Sequence, residues 1–176
     1  MIIKVDTRGS KEFYDELLFV TNNFKKFQKK PETKVQSLSK YIRNYMIYCC
    51  LAAILMAIFY VVFSNTIFNA LGGMFIILAV IYAFYLKSIN DTLKAYLEDD
   101  SVKEIDINEE YIGYSDGTKT INTNWNEIQN IIITNNAIIF LPKGINNIVI
   151  AISTDYKDEV EEAIKFYNKD NLVIRK

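Results

Sequence analysis

Apolar and polar residues follow three different rhythms along this chain. The first is helical: Phe13, Leu17, Val20, Phe24 and Phe27 recur at spacings of four and three, which puts them on one face, while Asp15, Glu16 and Asn23 fall elsewhere. A helix is predicted there, N-capped by Ser10 at the end of a turn-like Thr7-Arg8-Gly9-Ser10 and preceded by a short β-type run over residues 2–5. Acids sit early in that helix and lysines late, as the helix dipole prefers. A second helix is expected to start at Pro31 and Thr33, with Val35, Leu38, Ile42 and Tyr45 on one apolar line.

In the second stretch, residues 44–86, there is no rhythm because there is no Lys, Arg, Asp or Glu to mark one. Only Ser64-Asn65-Thr66 and Asn69 interrupt the apolar run, and they split it into 45–63 and 67–86, of 19 and 20 residues. Each half has the length of about 20 residues that a helix needs to cross a hydrocarbon core. A transmembrane hairpin is the expectation. Tyr41, Tyr45 and Tyr48 at its entry and Tyr82 and Tyr85 at its exit suit an interfacial aromatic belt, and Ala70, Gly72 and Gly73 suit close helix approach.

In the third stretch the period drops to two. The helix is expected to persist through Leu93 and Leu97 and to stop at Asp99-Asp100-Ser101. Ile105 and Ile107 then flank Asp106, and Ser115-Asp116-Gly117-Thr118 carries the Asp-Gly signal of a type I′ hairpin. Runs at 128–133, 137–141 and 147–152, with a tight turn at Asn135-Asn136, complete about six short antiparallel strands. A terminal helix capped by Thr154 or Asp155 offers Val160, Ala163, Ile164 and Tyr167 to close the sheet, and Leu172-Val173-Ile174 ends in a β-like tail. The chain therefore divides into 1–43, 44–87 and 88–176.

Charge adds a direction to this layout. The total is −1, but residues 1–43 hold ten basic and five acidic side chains, and residues 98–176 hold eight and fifteen. Lys25, Lys26, Lys29, Lys30, Lys34, Lys40 and Arg43 lead up to the hairpin; they are read either as an ordinary solvated face or as a surface lying on the anionic cytoplasmic leaflet. Both flanks of the hairpin are basic and its connector is not, so the positive-inside rule places both termini in the cytoplasm of a two-pass cell-membrane protein. No signal-peptide pattern opens the sequence. The acidic C-terminal part argues against nucleic acid as a partner.

Candidate chemistry is sparse. The chain has no His, which removes the commonest acid-base and metal-binding side chain, and its carboxylates fall at turns or on a solvated helix face. No catalytic residue, metal site or cofactor is expected. Cys49 and Cys50, adjacent within the first span, read as small packing residues, with S-acylation as the alternative.

The layout resembles the YcxB-like family of bacterial membrane proteins. The resemblance rests on the N-terminal strand and helix, the two adjacent spans, the strand pair around Asp116-Gly117, and Asn124-Trp125-Asn126-Glu127-Ile128 followed by Ile131. It departs at Ala151-Ile152-Ser153-Thr154, where that family carries an Ile-Pro-Lys-like turn. It implies an α+β membrane protein: a two-helix transmembrane hairpin and a small antiparallel PH-like β-barrel or sheet capped by a C-terminal helix. Trp125 is then a core residue plugging an open barrel end, or alternatively a surface contact for a partner. The function expected is a membrane-tethered cytosolic binding or scaffolding module. Its expected partners are membrane lipids and a protein, and a homo-oligomer is compatible with the layout. An immunity protein against a membrane-active toxin or bacteriocin is the alternative.

Overall fold

The computed structural model describes residues 2–6, 10–98, 102–144 and 148–175. The turn expected at Thr7-Arg8-Gly9, the helix stop at Asp99-Asp100-Ser101 and the strand start at Asn147 lie outside them. The chain forms two compact units, one from Met1–Gln36 with Ala95–Lys176 and one from Ser37–Lys94. The N-terminal segment thus shares a unit with the C-terminal part, and the hairpin is inserted between them in sequence.

The inserted unit is two long helices. α3 (Leu38–Phe63) starts where the Ser37 hydroxyl accepts from the Lys40 amide at 3.0 Å. The helix start expected at Pro31 and Thr33 is corrected: the Thr33 hydroxyl is used on the Lys30 carbonyl at 2.7 Å, which leaves Ser37 as the cap. α3 ends at Ser64, whose left-handed φ of 50° reverses the chain. The Asn65 carboxamide oxygen then accepts from Ile67 N at 3.0 Å as α4 (Thr66–Leu97) begins. Both helices are long and apolar enough to cross a membrane. A Cβ placed on Gly72 would lie 3.5 Å from Met56 Cβ, an ordinary van der Waals distance, so the close approach of the helices there does not require glycine. Phe59, Phe63 and Phe68 cluster beside the connector, with ring centroids 5.5–6.0 Å apart. At the other end the Tyr45 ring lies between those of Tyr41 and Tyr82, at 4.7 and 5.9 Å.

The other unit is α+β. Strand β1 (Ile2–Asp6) pairs antiparallel with β2 (Val102–Ile107), which continues through β3 (Tyr111–Ser115) to β4 (Thr120–Asn124) as a meander. The β3–β4 turn falls at Asp116-Gly117 as expected, but the type I′ form is corrected: Gly117 is at φ 81° while Asp116 and Thr118 are not at positive φ. A 3-10 turn at Trp125–Glu127 carries the chain to a second sheet of β5 (Ile128–Ile133), β6 (Ala137–Pro142), β7 (Ile150–Ser153) and β8 (Val173–Arg175), ordered β7-β6-β5-β8. After β7 the helix α5 (Lys157–Phe166) crosses back, so β8 enters parallel to β5. Of the expected antiparallel barrel or sheet, the closed barrel is corrected to two open sheets, and the β-like tail expected after α5 is a strand that pairs parallel with β5.

One core joins the sheets. Ile105, Ile107 and Ile112 from the first meet Ile131, Ile138 and Ile152 from the second, and Val160, Ala163 and Ile164 of α5 close the side. Alternation leaves Ile132, Ile139 and Leu141, also fully buried, on the opposite face of the second sheet. That face is covered by α1 (Lys11–Asn22), which packs on β6. Ser10 caps α1 as predicted, accepting from Phe13 N at 3.1 Å. The single helix expected over 13–27 breaks at Asn23, before α2 (Phe24–Lys29). Thr21, Asn22 and Asn23 each donate a side-chain hydrogen bond to the carbonyl four residues earlier, at 2.8–2.9 Å, which competes with continued backbone pairing.

Candidate functional site

The lysines singled out in the sequence fall in two places. Lys25, Lys26, Lys29 and Lys30 are exposed on α2, and Lys34 is exposed in the segment that follows. Lys40 and Arg43 are exposed on the first turns of α3, in the other unit. The α2 lysines are held in place by a neighbour. The Gln28 carboxamide donates to the carbonyls of Pro142 and Lys143 at 3.1 and 2.7 Å, and the Gln129 carboxamide donates back to the Gln28 carbonyl at 2.8 Å. These bonds fasten α2 to the end of the β5–β6 hairpin and bring exposed Lys143 to the same place. Lys143 reads as isolated along the chain, because only tertiary contact joins it to α2.

The far end of α1 is fastened in the same way. Glu16 accepts from the Thr134 hydroxyl at 2.6 Å and from the Asn136 amide at 2.8 Å, across the β5–β6 turn. Charge-assisted bonds of this kind are the stronger ones.

Trp125 is in the core. It is 6% exposed, its Nε1 donates to the Asn108 carbonyl at 2.7 Å, and its ring lies 6.4 Å from that of Phe140. The reading of Trp125 as a partner contact is therefore corrected. At the corner between two sheets the indole fills the space that opens and satisfies its one donor on a turn carbonyl. The Lys169 ammonium lies 5.6 Å over the ring.

The concavity of this unit lies elsewhere. A cavity of about 280 Å³ is walled by Phe13, Tyr14 and Leu17 of α1 and by Ile105, Tyr114 and Ile121 of the first sheet. Ile148, Val149 and residues of β7 form its third side, and Tyr96 completes it. Tyr14 and Tyr96 stack there with ring centroids 5.0 Å apart and planes 5° from parallel. The space continues along α1 into a depression of about 470 Å³ that shares Leu17, Tyr96, Ile148 and Val149 and adds Leu18, Thr21 and Phe24. Among the described residues, Lys103 is the one charged residue lining either part. Sequence reading placed Leu17 and Phe24 with the core face of the first helix. They are only half-buried, and Leu18 beside them widens the stripe.

A second, polar concavity of about 240 Å³ lies on the outer face of the first sheet, where Glu104, Asp106, Tyr111 and Asn122 surround Gly113. A Cβ at Gly113 would come within 3.0 Å of the Asn122 oxygen, so the glycine keeps this hollow open. Asp106 accepts there from Asn108 at 3.2 Å and from the Tyr111 hydroxyl at 3.3 Å. In the adjoining turn, hydrogen bonds from the Thr118 hydroxyl and then from the Lys119 and Thr118 amides hold the Asp116 carboxyl at a pKa of about 2. Among the described residues, no three His, Cys, Asp or Glu side chains are grouped to hold a metal ion.

No protein-family model, curated protein or solved structure matches the chain.

Proposed function

We propose that this chain is a two-pass cell-membrane protein with both termini in the cytoplasm, whose α+β unit is a tethered binding or scaffolding module without a catalytic site. The observation that carries this reading is the contrast between two helices suited to lipid and a compact unit that buries its own apolar residues. The exposed lysines of α2 and the start of α3 support contact with an anionic leaflet, each contributing about 1 kcal/mol. Lys143 adds a further cation to the α2 group. The acidic balance of residues 98–176 favours a protein partner over an anionic one at the rest of the unit.

The proposal extends to family. A strand meander, a tryptophan corner, three further antiparallel strands and a closing helix form the succession that a PH-like domain of the YcxB-like family would carry. β1 and α1, which precede the hairpin, complete that domain in this chain.

The test replaces residues 37–94 with an unrelated two-span hairpin and compares proximity crosslinking from native membranes with that of the intact chain. Retention of the same protein partners supports the tethered module. Their loss moves function to the hairpin, as an immunity protein against a membrane-active toxin would require.

A further inference from the structure

The outer strands of the two sheets are β1 and β4, β7 and β8, and they are not protected alike. β1 carries Lys4 and Asp6, β8 is three residues long and carries Arg175, and Ile150, Ile152 and Ser153 of β7 are buried. Charge, shortness and covering are the usual defences of a sheet edge. β4 has none of them. Its residues Thr120–Asn124 include no charge and no proline, keep an unbroken register with β3, and leave Thr120, Asn122 and Asn124 exposed. We infer that β4 is an interface for a second copy of this chain, whose β4 pairs with it antiparallel about a two-fold axis at Ile121.

The ladder itself tells which backbone groups of β4 are free. The Asp116 amide donates to the Lys119 carbonyl and the Trp125 amide to the Glu110 carbonyl, both at 3.2 Å, which fixes the alternation of β3–β4 hydrogen bonds at its two ends. Ile121 and Thr123 therefore bond to β3, and Thr120, Asn122 and Asn124 turn their amides and carbonyls outward. The outward Asn124 amide is occupied by the Glu127 carboxylate at 3.3 Å. Among the described residues, no protein group bonds the outward backbone of Thr120 or Asn122.

These two residues complement each other across a two-fold axis. Thr120 of each copy set opposite Asn122 of the other closes four backbone hydrogen bonds and leaves the occupied Asn124 amide outside the pairing. The same register places half-buried Ile121 against Ile121 of the second copy, an apolar cross-strand pair. At each end, exposed Lys119 comes alongside the Glu127 carboxylate that Asn124 of the second copy holds. The charges at this edge thus attract, although residues 98–176 as a whole are acidic. An unrelated extended segment would meet the backbone alone, whereas this chain's own β4 also matches at Lys119, Ile121 and Glu127. The inference goes beyond the partner reading and does not depend on it.

The test is a cysteine scan on the full chain in detergent micelles, with Cys49→Ala and Cys50→Ala removing the native thiols. Single cysteines are placed at each position from 119 to 123 and oxidised under mild conditions. In a non-hydrogen-bonded antiparallel pair the Cα atoms lie about 4.5 Å apart, within reach of a disulfide, and in this register position 121 meets itself. Linked dimer should peak at Ile121→Cys, about tenfold above Thr120→Cys and Asn122→Cys, and a mixture of Lys119→Cys and Thr123→Cys chains should link to each other. Asn122→Pro, added to Ile121→Cys, removes an outward amide and should cut the link about tenfold. The melting temperature should hold, because an edge strand tolerates proline where its N–H faces away from the sheet. Lys119→Glu should reduce the link several-fold, again without a change in melting.

A flat profile across the scan, or one that peaks away from residue 121, overturns the inference. So does an Ile121→Cys link that survives both Asn122→Pro and Lys119→Glu, because the contact would then owe nothing to strand pairing. Cysteines on β4 that link in native membranes to a different protein and not to a second copy overturn it too, and would make the occupant an unlike strand. Partner capture by the hairpin-replaced chain is a separate readout, so failure of either reading leaves the other standing.

Discussion

Isoleucine does opposite work in the two units. In the hairpin, Ile54, Ile58, Ile76 and Ile77 are 52–62% exposed, while in the second sheet Ile131, Ile132, Ile138 and Ile139 are completely sealed. The hairpin directs most of its apolar surface outward, although Leu38, Ile42, Gly72, Ile89 and Leu93 are buried. The α+β unit keeps its apolar surface inside and sends its charge outward. Composition alone does not separate these designs, since both are rich in Ile. What separates them is the length of the apolar run: residues 44–86 carry no charge over two helix lengths, whereas residues 128–142 lie between Glu127 and Lys143 and are broken by Gln129, Asn130 and Thr134-Asn135-Asn136.

Substitutions at matched isoleucines sharpen that contrast most. Ile131→Ala opens a cavity in a sealed core and should destabilise the α+β unit by about 2–5 kcal/mol, read as a lower melting temperature by circular dichroism in detergent. Ile77→Ala should leave the same transition within about 0.5 kcal/mol of the parent. Equal effects of the two would mean that the hairpin and the sheet unit melt as one body.

A smaller effect is expected where α1 is fastened to the sheet. Glu16→Ala removes the acceptor used by Thr134 and Asn136 and should cost about 1–2 kcal/mol, discounted for partial exposure from the value of charge-assisted bonds. Hydrogen exchange should show α1 amides losing protection before those of β5 and β6, with partial recovery in Glu16→Gln. Uniform loss across the unit would show that α1 has no independent opening.

The smallest effect belongs to the exposed β3–β4 turn. The Asp116 carboxyl is more acidic folded, at about 2, than the ordinary 3.8, so its contribution is complete above pH 4 and fades as pH falls from 3.8 towards 2. Asp116→Ala should therefore melt slightly below the parent at neutral pH, and the difference should vanish near pH 2. A gap that persists at pH 2 would assign the effect to the turn backbone rather than to the charge.

Much of this architecture is legible in the sequence where local chemistry decides it. Asp116-Gly117 gives its turn, Ser10 its cap, and residues 44–86 the two long helices split at Ser64-Asn65. The misses are tertiary. Nothing local says that β1, made first, pairs with β2 across the hairpin, or that β8 docks parallel on β5. One cue was present: Ile131-Ile132-Ile133 and residues 137–142 are apolar without alternation, the mark of strands covered on both faces. That pattern calls for a second covering layer, and α1 is the layer it calls for. The groove was hidden for the converse reason, because half-buried Leu17 and Phe24 share a helical spacing with the sealed Val20 and Phe27.

The Glu16–Thr134 bond joins residues 118 apart in the chain. At a synthesis rate of roughly 5–20 residues per second, α1 leaves the ribosome roughly 6–24 seconds before the strand it must cover. Both long helices are made within that interval. Translation therefore imposes an order of events: both long apolar helices are complete while the sheet unit still lacks half its parts, and folding of that unit becomes the last step of biogenesis.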